Sequence, residues 1–196
     1  MNHKKESGTS RILSMVYCSF FAIIIALCSY ITIPIIIPFT LQTLGVFTAL
    51  ELLGGKKGIF SVLLYILLGA VGIPVFSGFR GGIGILLSNT GGYILGFLFL
   101  AITYYLITHI AGNRLFIRIL AMISGLLVCY TFGTLWFVLA YSDIQSMHEI
   151  FPILQVCVLP FFIPDIIKIG VAVTLRKILY PSLPDTLKND SFRKKN

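Results

Sequence analysis

The stretch ILSMVYCSFFAIIIALCSYITIPIII, residues 12–37, decides the fold class: it runs for 26 residues without an Asp, Glu, Lys or Arg. A transmembrane helix needs about 20 predominantly apolar residues. The run follows a polar, basic segment, yet it is too long for a secretory signal peptide and lacks a convincing small-residue cleavage site, so it reads as a retained first span. The rest of the chain agrees. Of 196 residues, 57% are hydrophobic and 11% charged, and the mean hydropathy is +0.97, whereas soluble domains carry about 25% charged residues. A water-soluble globule is excluded, and the solvent is lipid.

Outward from that run, further apolar segments occupy residues 41–53, 58–71, 91–110, 115–141 and 150–179. They predict an all-α integral membrane protein with six transmembrane helices. The organisation is a basic N-terminal segment (1–11), a membrane domain (12–179) and a polar basic tail (180–196). The net charge of +8 supports an orientation. With the N-terminus in the cytoplasm, the inside set is Lys4, Lys5, Arg11, Lys56, Lys57, Arg114, Arg118, Arg176, Lys177, Lys188, Arg193, Lys194 and Lys195, 13 of 15 cations. Arg80 alone lies outside, and Lys168 falls within the sixth span. This asymmetry places both termini in the cytoplasm of a multi-pass cell-membrane protein. It also accounts for the basic surplus without nucleic acid, since no basic face is interleaved with exposed aromatics. Segments 41–53 and 58–71 are short for a span, which predicts tilt, flanking irregular backbone or an interior position.

The segment PFFIPDIIK, residues 160–168, places a carboxylate and an ammonium in apolar sequence. Asp165 and Lys168 are i and i+3, on one helix face. A charge at membrane depth costs from about 2.5 kcal/mol upward, so such residues face the bundle interior and mark a substrate, ion or proton path. A structural ion pair is the alternative. Pro164 suits a helix start, which would set Asp165 near the positive end of the dipole. The connection from residue 69 to 92 is rich in glycine, which favours irregular backbone that approaches a ligand closely. Asn89, Thr90 and Tyr93 close it, as ligand contacts or as helix caps and an interfacial tyrosine. Gln42 can roof a site, with Thr40 and Thr43 read equally as caps of the second helix. Ala22 and Ala26 form a small-xxx-small pair that lets another helix approach. Cys18, Cys28, Cys129 and Cys157 lie in apolar runs and read as packing residues. His3, His109 and His148 are scattered, and no Walker, HExxH or Ser/His/Asp pattern occurs, so no metal, cofactor or enzyme chemistry is expected.

Four motifs in order, PFTLQTLG (38–45), GAVGIPVF (69–76), TGGYILGF (90–97) and LPF with PDIIK (159–161 and 164–168), resemble the BioY family. These are the biotin-binding substrate (S) components of energy-coupling-factor (ECF) transporters. The resemblance implies six membrane helices holding biotin near the outer face, contacted by the third-to-fourth connection and the last helix. It further implies that Ala22 and Ala26 dock onto a coupling transmembrane subunit, and that a separate ATPase pair drives release inside. The ligand's chemistry suits the residues: biotin offers two ureido N–H donors, a carbonyl acceptor, an apolar thiophane ring and a carboxylate. Asp165 can accept the N–H groups, while Lys168 can hold Asp165 ionised, donate to the carbonyl or reach the carboxylate. Phe76, Phe79, Phe161 and Tyr93 can supply walls. Arg80 can meet the ligand carboxylate or remain a solvated loop charge. Competing readings are an S component for thiamin or riboflavin, a proton-coupled carrier relaying through Asp165, and an intramembrane enzyme using it as acid or base.

Overall fold

The computed structural model describes residues 8–33, 39–140, 159–184 and 188. Among them are α1 (Gly8–Tyr30), β1 (Thr32–Ile33), β2 (Phe39–Thr40), α2 (Gln42–Leu53), α3 (Gly55–Ala70), α4 (Ile83–Leu86), α5 (Gly91–Ala111), α6 (Leu115–Ala140), α7 (Leu159–Leu179) and a 3-10 turn, Tyr180–Ser182. Among the described residues, three stretches are long and apolar enough to cross a membrane: Ser10–Tyr30 within α1, Gly91–Ala111 and Leu115–Ala140. The last of these, at 26 residues, rises about 39 Å against a hydrocarbon core of about 30 Å. At 21 residues α7 matches α5 in length, but it carries Asp165, Lys168, Arg176 and Lys177.

The first apolar run does not continue as one helix to residue 37. α1 ends at Tyr30, and Thr32 and Ile33 pair antiparallel with Thr40 and Phe39. The reason is local. Ile31, Thr32 and Ile33 are β-branched and stiff at χ1, and a residue followed by proline, as Ile33 is, is driven towards extended backbone. At the other end α1 starts at Gly8 and takes in the last four residues of the basic segment.

α2 resolves the short segments. Every residue of this 12-residue helix except Leu44 is buried, with α1, α3 and α7 as its main neighbours. A helix surrounded by protein need not match the thickness of the lipid. Its far end holds Glu51, fully buried, a charge that the apolar reading of residues 41–53 passed over. Tyr104 donates to Glu51 Oε1 at 3.2 Å. Arg118 Nε and Arg176 Nε lie 3.1 and 3.7 Å from Glu51 Oε2, and Arg176 also donates to the Glu51 carbonyl.

The placement of α1 corrects one expectation. Ala22 and Ala26 are 1% and 6% exposed and belong to the main core, so they are not free to receive a docking subunit. α2 comes close to the same helix at Gly45, where a Cβ would stand 3.0 Å from the Ile25 Cα. The outward face of α1 carries Phe20, Ile23 and Leu27. Ala22→Leu is therefore expected to overpack the core at a cost of about 1–3 kcal/mol, lowering the melting temperature in detergent. Ile23→Leu on the outward face serves as the neutral control. An unchanged melting temperature for Ala22→Leu would refute the interior placement.

Candidate functional site

Residues 71–82, between α3 and α4, are non-helical, as their glycines foretell, and they are tied to the end of α1. Ser29 Oγ donates to the Val75 carbonyl at 2.7 Å and Tyr30 Oη to the Pro74 carbonyl at 2.8 Å. Thr32 and Ser77 hydroxyls meet at 3.0 Å. At its tip Phe79 adopts a positive φ of 56° and stacks on Tyr30 with centroids 4.2 Å apart. Behind this loop, Gly69 leaves room for Phe76, whose ring would sit 2.0 Å from a Cβ there. The loop thereby closes one side of a cleft, partly open to solvent, whose other walls are the start of α2, α5, α6 and the first turns of α7.

Asp165 and Lys168 lie in this cleft, 2% and 6% exposed. Asp165 Oδ1 accepts from Lys168 Nζ at 2.7 Å and from Thr43 Oγ1 at 2.8 Å, and Oδ2 accepts from Tyr130 Oη at 2.5 Å. Lys168 Nζ also donates to the Thr40 carbonyl at 2.8 Å and to Thr43 Oγ1 at 2.9 Å, and it sits 4.4 Å from the Phe39 ring centroid. An ammonium has three donors and a carboxylate about four acceptor sites. All three protons of Lys168 are therefore directed at protein groups, while Asp165 keeps capacity for one more donor. Lys168 is thereby paired with the Asp165 carboxylate within the wall of the cleft.

Gln42 is buried on the same wall, accepting from Thr40 Oγ1 at 2.9 Å and donating to the Tyr65 hydroxyl. Its amide retains one proton and one lone pair for another partner. The Tyr93 hydroxyl meets that of Thr134 at 3.0 Å, and its ring packs over Gly133, where a Cβ would lie 2.3 Å from it. Phe76 and Phe161 supply aromatic wall, the latter paired with Phe39 at 6.0 Å. Arg80 lines the mouth and is exposed, its Nε donating to the Ser77 carbonyl at 3.1 Å.

Some expectations change. Asn89 is not among the lining residues, whereas its neighbour Thr90 is. Phe79 points away from the cleft towards Tyr30. Pro164 lies inside α7, which begins at Leu159, so Asp165 stands in the second turn and not at the helix start. Leu41, at the N-cap position of α2, makes no side-chain cap bond, but the Thr40 hydroxyl accepts from the Gln42 N–H at 3.2 Å and so satisfies the first amide of the helix, while Thr43 bridges Asp165 and Lys168. Tyr130 was missed altogether, its only signal being a hydroxyl within an apolar segment. His3, His148 and Cys157 lie outside the described residues, and among those described no cluster suited to a metal ion occurs.

A buried acid–base pair walled by aromatics is the pattern the sequence motifs foreshadow, and the family model that matches is the BioY family, over residues 1–185. The chain belongs to the BioY family. Among BioY relatives, the probable biotin transporter of Pyrococcus horikoshii is 41% identical over 73% of this chain and 80% of its own length. The biotin transporter of Thermotoga maritima is 36% identical over 81% of this chain and 90% of its own. In fold the chain is similar to a crystal structure of the S-component for biotin from an ECF-type ABC transporter. The TM-score is 0.73 at 24% identity, over 87% of this chain and 94% of that one. A second S component of a bacterial ECF transporter aligns with TM-score 0.50 at 19% identity, over 91% and 99%.

Proposed function

We propose that this BioY-family chain captures biotin as the substrate-specific component of an ECF-type transporter in the cell membrane. The observation that carries the reading is the buried Asp165–Lys168 pair, which offers a fixed carboxylate at the bottom of an aromatic cleft. The remaining acceptor site of Asp165 suits a ureido N–H, and the free amide functions of Gln42 suit the rest of that group. Phe76, Phe161 and Tyr93 suit the thiophane ring, and Arg80 at the mouth suits the valeryl carboxylate. The distribution of Lys and Arg supports six spans with both termini in the cytoplasm, arranged as segment 1–11, membrane domain 12–179 and tail 180–196.

The chain carries no phosphate-binding loop, so energy for release comes from a separate ATPase pair through a coupling transmembrane subunit. With Ala22 and Ala26 inside the core, that subunit meets another surface.

Titration calorimetry of the detergent-purified chain with biotin, thiamin and riboflavin tests the reading. Binding of biotin alone, without any ATPase partner, is the expected result. Binding of thiamin or riboflavin in its place would assign another vitamin, and accumulation of biotin by the chain alone in liposomes, driven by a proton gradient, would replace the ECF mechanism with a proton-coupled carrier.

A further inference from the structure

The buried residues of α7 are Phe161, Asp165, Lys168, Ile169, Ala172 and Arg176. They form one stripe at steps of three, four or one, and half of them are charged. α7 packs chiefly on α2, so its position depends on how that stripe meets one neighbour. Two hydrogen-bonded contacts made by its cations share a single register. Lys168 reaches Thr43 and Arg176 reaches Glu51, and both pairs are 125 residues apart in sequence. Eight residues separate the two contacts on each helix, about 12 Å. α2 and α7 therefore run parallel, pinned at two points just over two turns apart. Between the pins α7 offers little but Ile169 and Ala172, an apolar surface that specifies register weakly.

We infer that Glu51 is a positioning residue for the ligand site, acting through the register of α7 on α2. It is fully buried and gathers Tyr104 from α5, Arg118 from α6 and Arg176 from α7. Its carboxylate separates two guanidinium groups that would otherwise repel, and its carbonyl holds Arg176. Losing the carboxylate removes the ionic part of that anchor, sets the two guanidinium groups against each other and loosens the lower half of α7. A slip of one helical turn, about 5.4 Å, would take Asp165 out of reach of Thr43, now 2.8 Å away. The inference rests on the biotin reading above, because biotin affinity reports the geometry of Asp165 and Lys168.

The test is a double-mutant cycle read by biotin titration of the full chain in detergent. Glu51→Gln is expected to weaken biotin binding about tenfold. In an Asp165→Asn background it should add little, since the group it positions has already lost its charge. Non-additivity of that kind separates action through Asp165 from general loosening, which would add in full. Glu51→Asp, which keeps the charge, should stay within about threefold of the native protein. If Glu51→Gln gives no folded protein, Arg176→Lys is carried through the same cycle with the same expectation. Equal affinity of native and Glu51→Gln protein, or full additivity in the cycle, overturns the inference while leaving the biotin reading intact. A native chain that does not bind biotin removes both.

Discussion

Lys168→Met is expected to lose biotin binding and to lower the stability of the detergent-solubilised protein by about 3–5 kcal/mol, the usual cost of breaking a buried ion pair from one side. The size follows from the contacts. Lys168 donates to the Thr40 carbonyl, the Thr43 hydroxyl and the Asp165 carboxylate, and all three are buried. Methionine is of similar length and fills the same volume, so packing changes little and the loss is electrostatic. Without the ammonium, Asp165 keeps only the hydroxyls of Thr43 and Tyr130, and the Thr40 carbonyl loses the donor it receives from Lys168. Thermal unfolding and calorimetric titration measure the two effects. A variant that melts and binds as the native protein does would show that the pair does not organise the cleft.

Asp165→Asn should weaken biotin binding by about 1–3 kcal/mol, a factor of roughly five to 150. The substitution is nearly isosteric, but asparagine presents one acceptor oxygen where the carboxylate presents two. Its NH2 group must then face a donor, either Tyr130 or the Lys168–Thr43 side. A companion variant separates binding from folding. Replacing both partners, Asp165→Leu with Lys168→Met, removes the buried charges together and is expected to recover much of the stability lost by Lys168→Met alone. Affinity for biotin should not return. Recovery of binding in the double variant would reduce the pair to a structural role.

These two residues were the most legible part of the site, because charge inside an apolar segment is conspicuous and a spacing of three puts both on one face. Their partners were not legible for an equally physical reason. Thr43 lies 122 residues before Asp165 and Tyr130 lies 35 before it, and a hydroxyl does not stand out by hydropathy. The glycine-rich connection foretold irregular backbone, but nothing in it showed that Phe79 would stack on Tyr30 while Phe76 lined the cleft. The pair Ala22 and Ala26 announced a close approach without saying whether it lay inside the chain or at a partner, and both residues lie in the main core. Glu51 escaped notice because one acid among eleven other mostly apolar residues barely alters a window average. The end of α1 was blurred because isoleucine serves a strand as well as a span, and only the threonine and the proline nearby distinguish them.

The burial of α2 has a consequence for how the chain is made. A helix of about 18 Å, enclosed by protein and ending in a glutamate, gives an insertion machinery no lipid-facing surface on which to hold it. It must enter beside α1 and α3, and Glu51 then waits for Arg118 on α6 and Arg176 on α7, both synthesised later. Nascent chains cut off before α7 would leave Thr43 and Glu51 without partners they have in the finished protein. Among the described helices α7 leaves the ribosome last, and its arrival supplies the partners that Thr43 and Glu51 await.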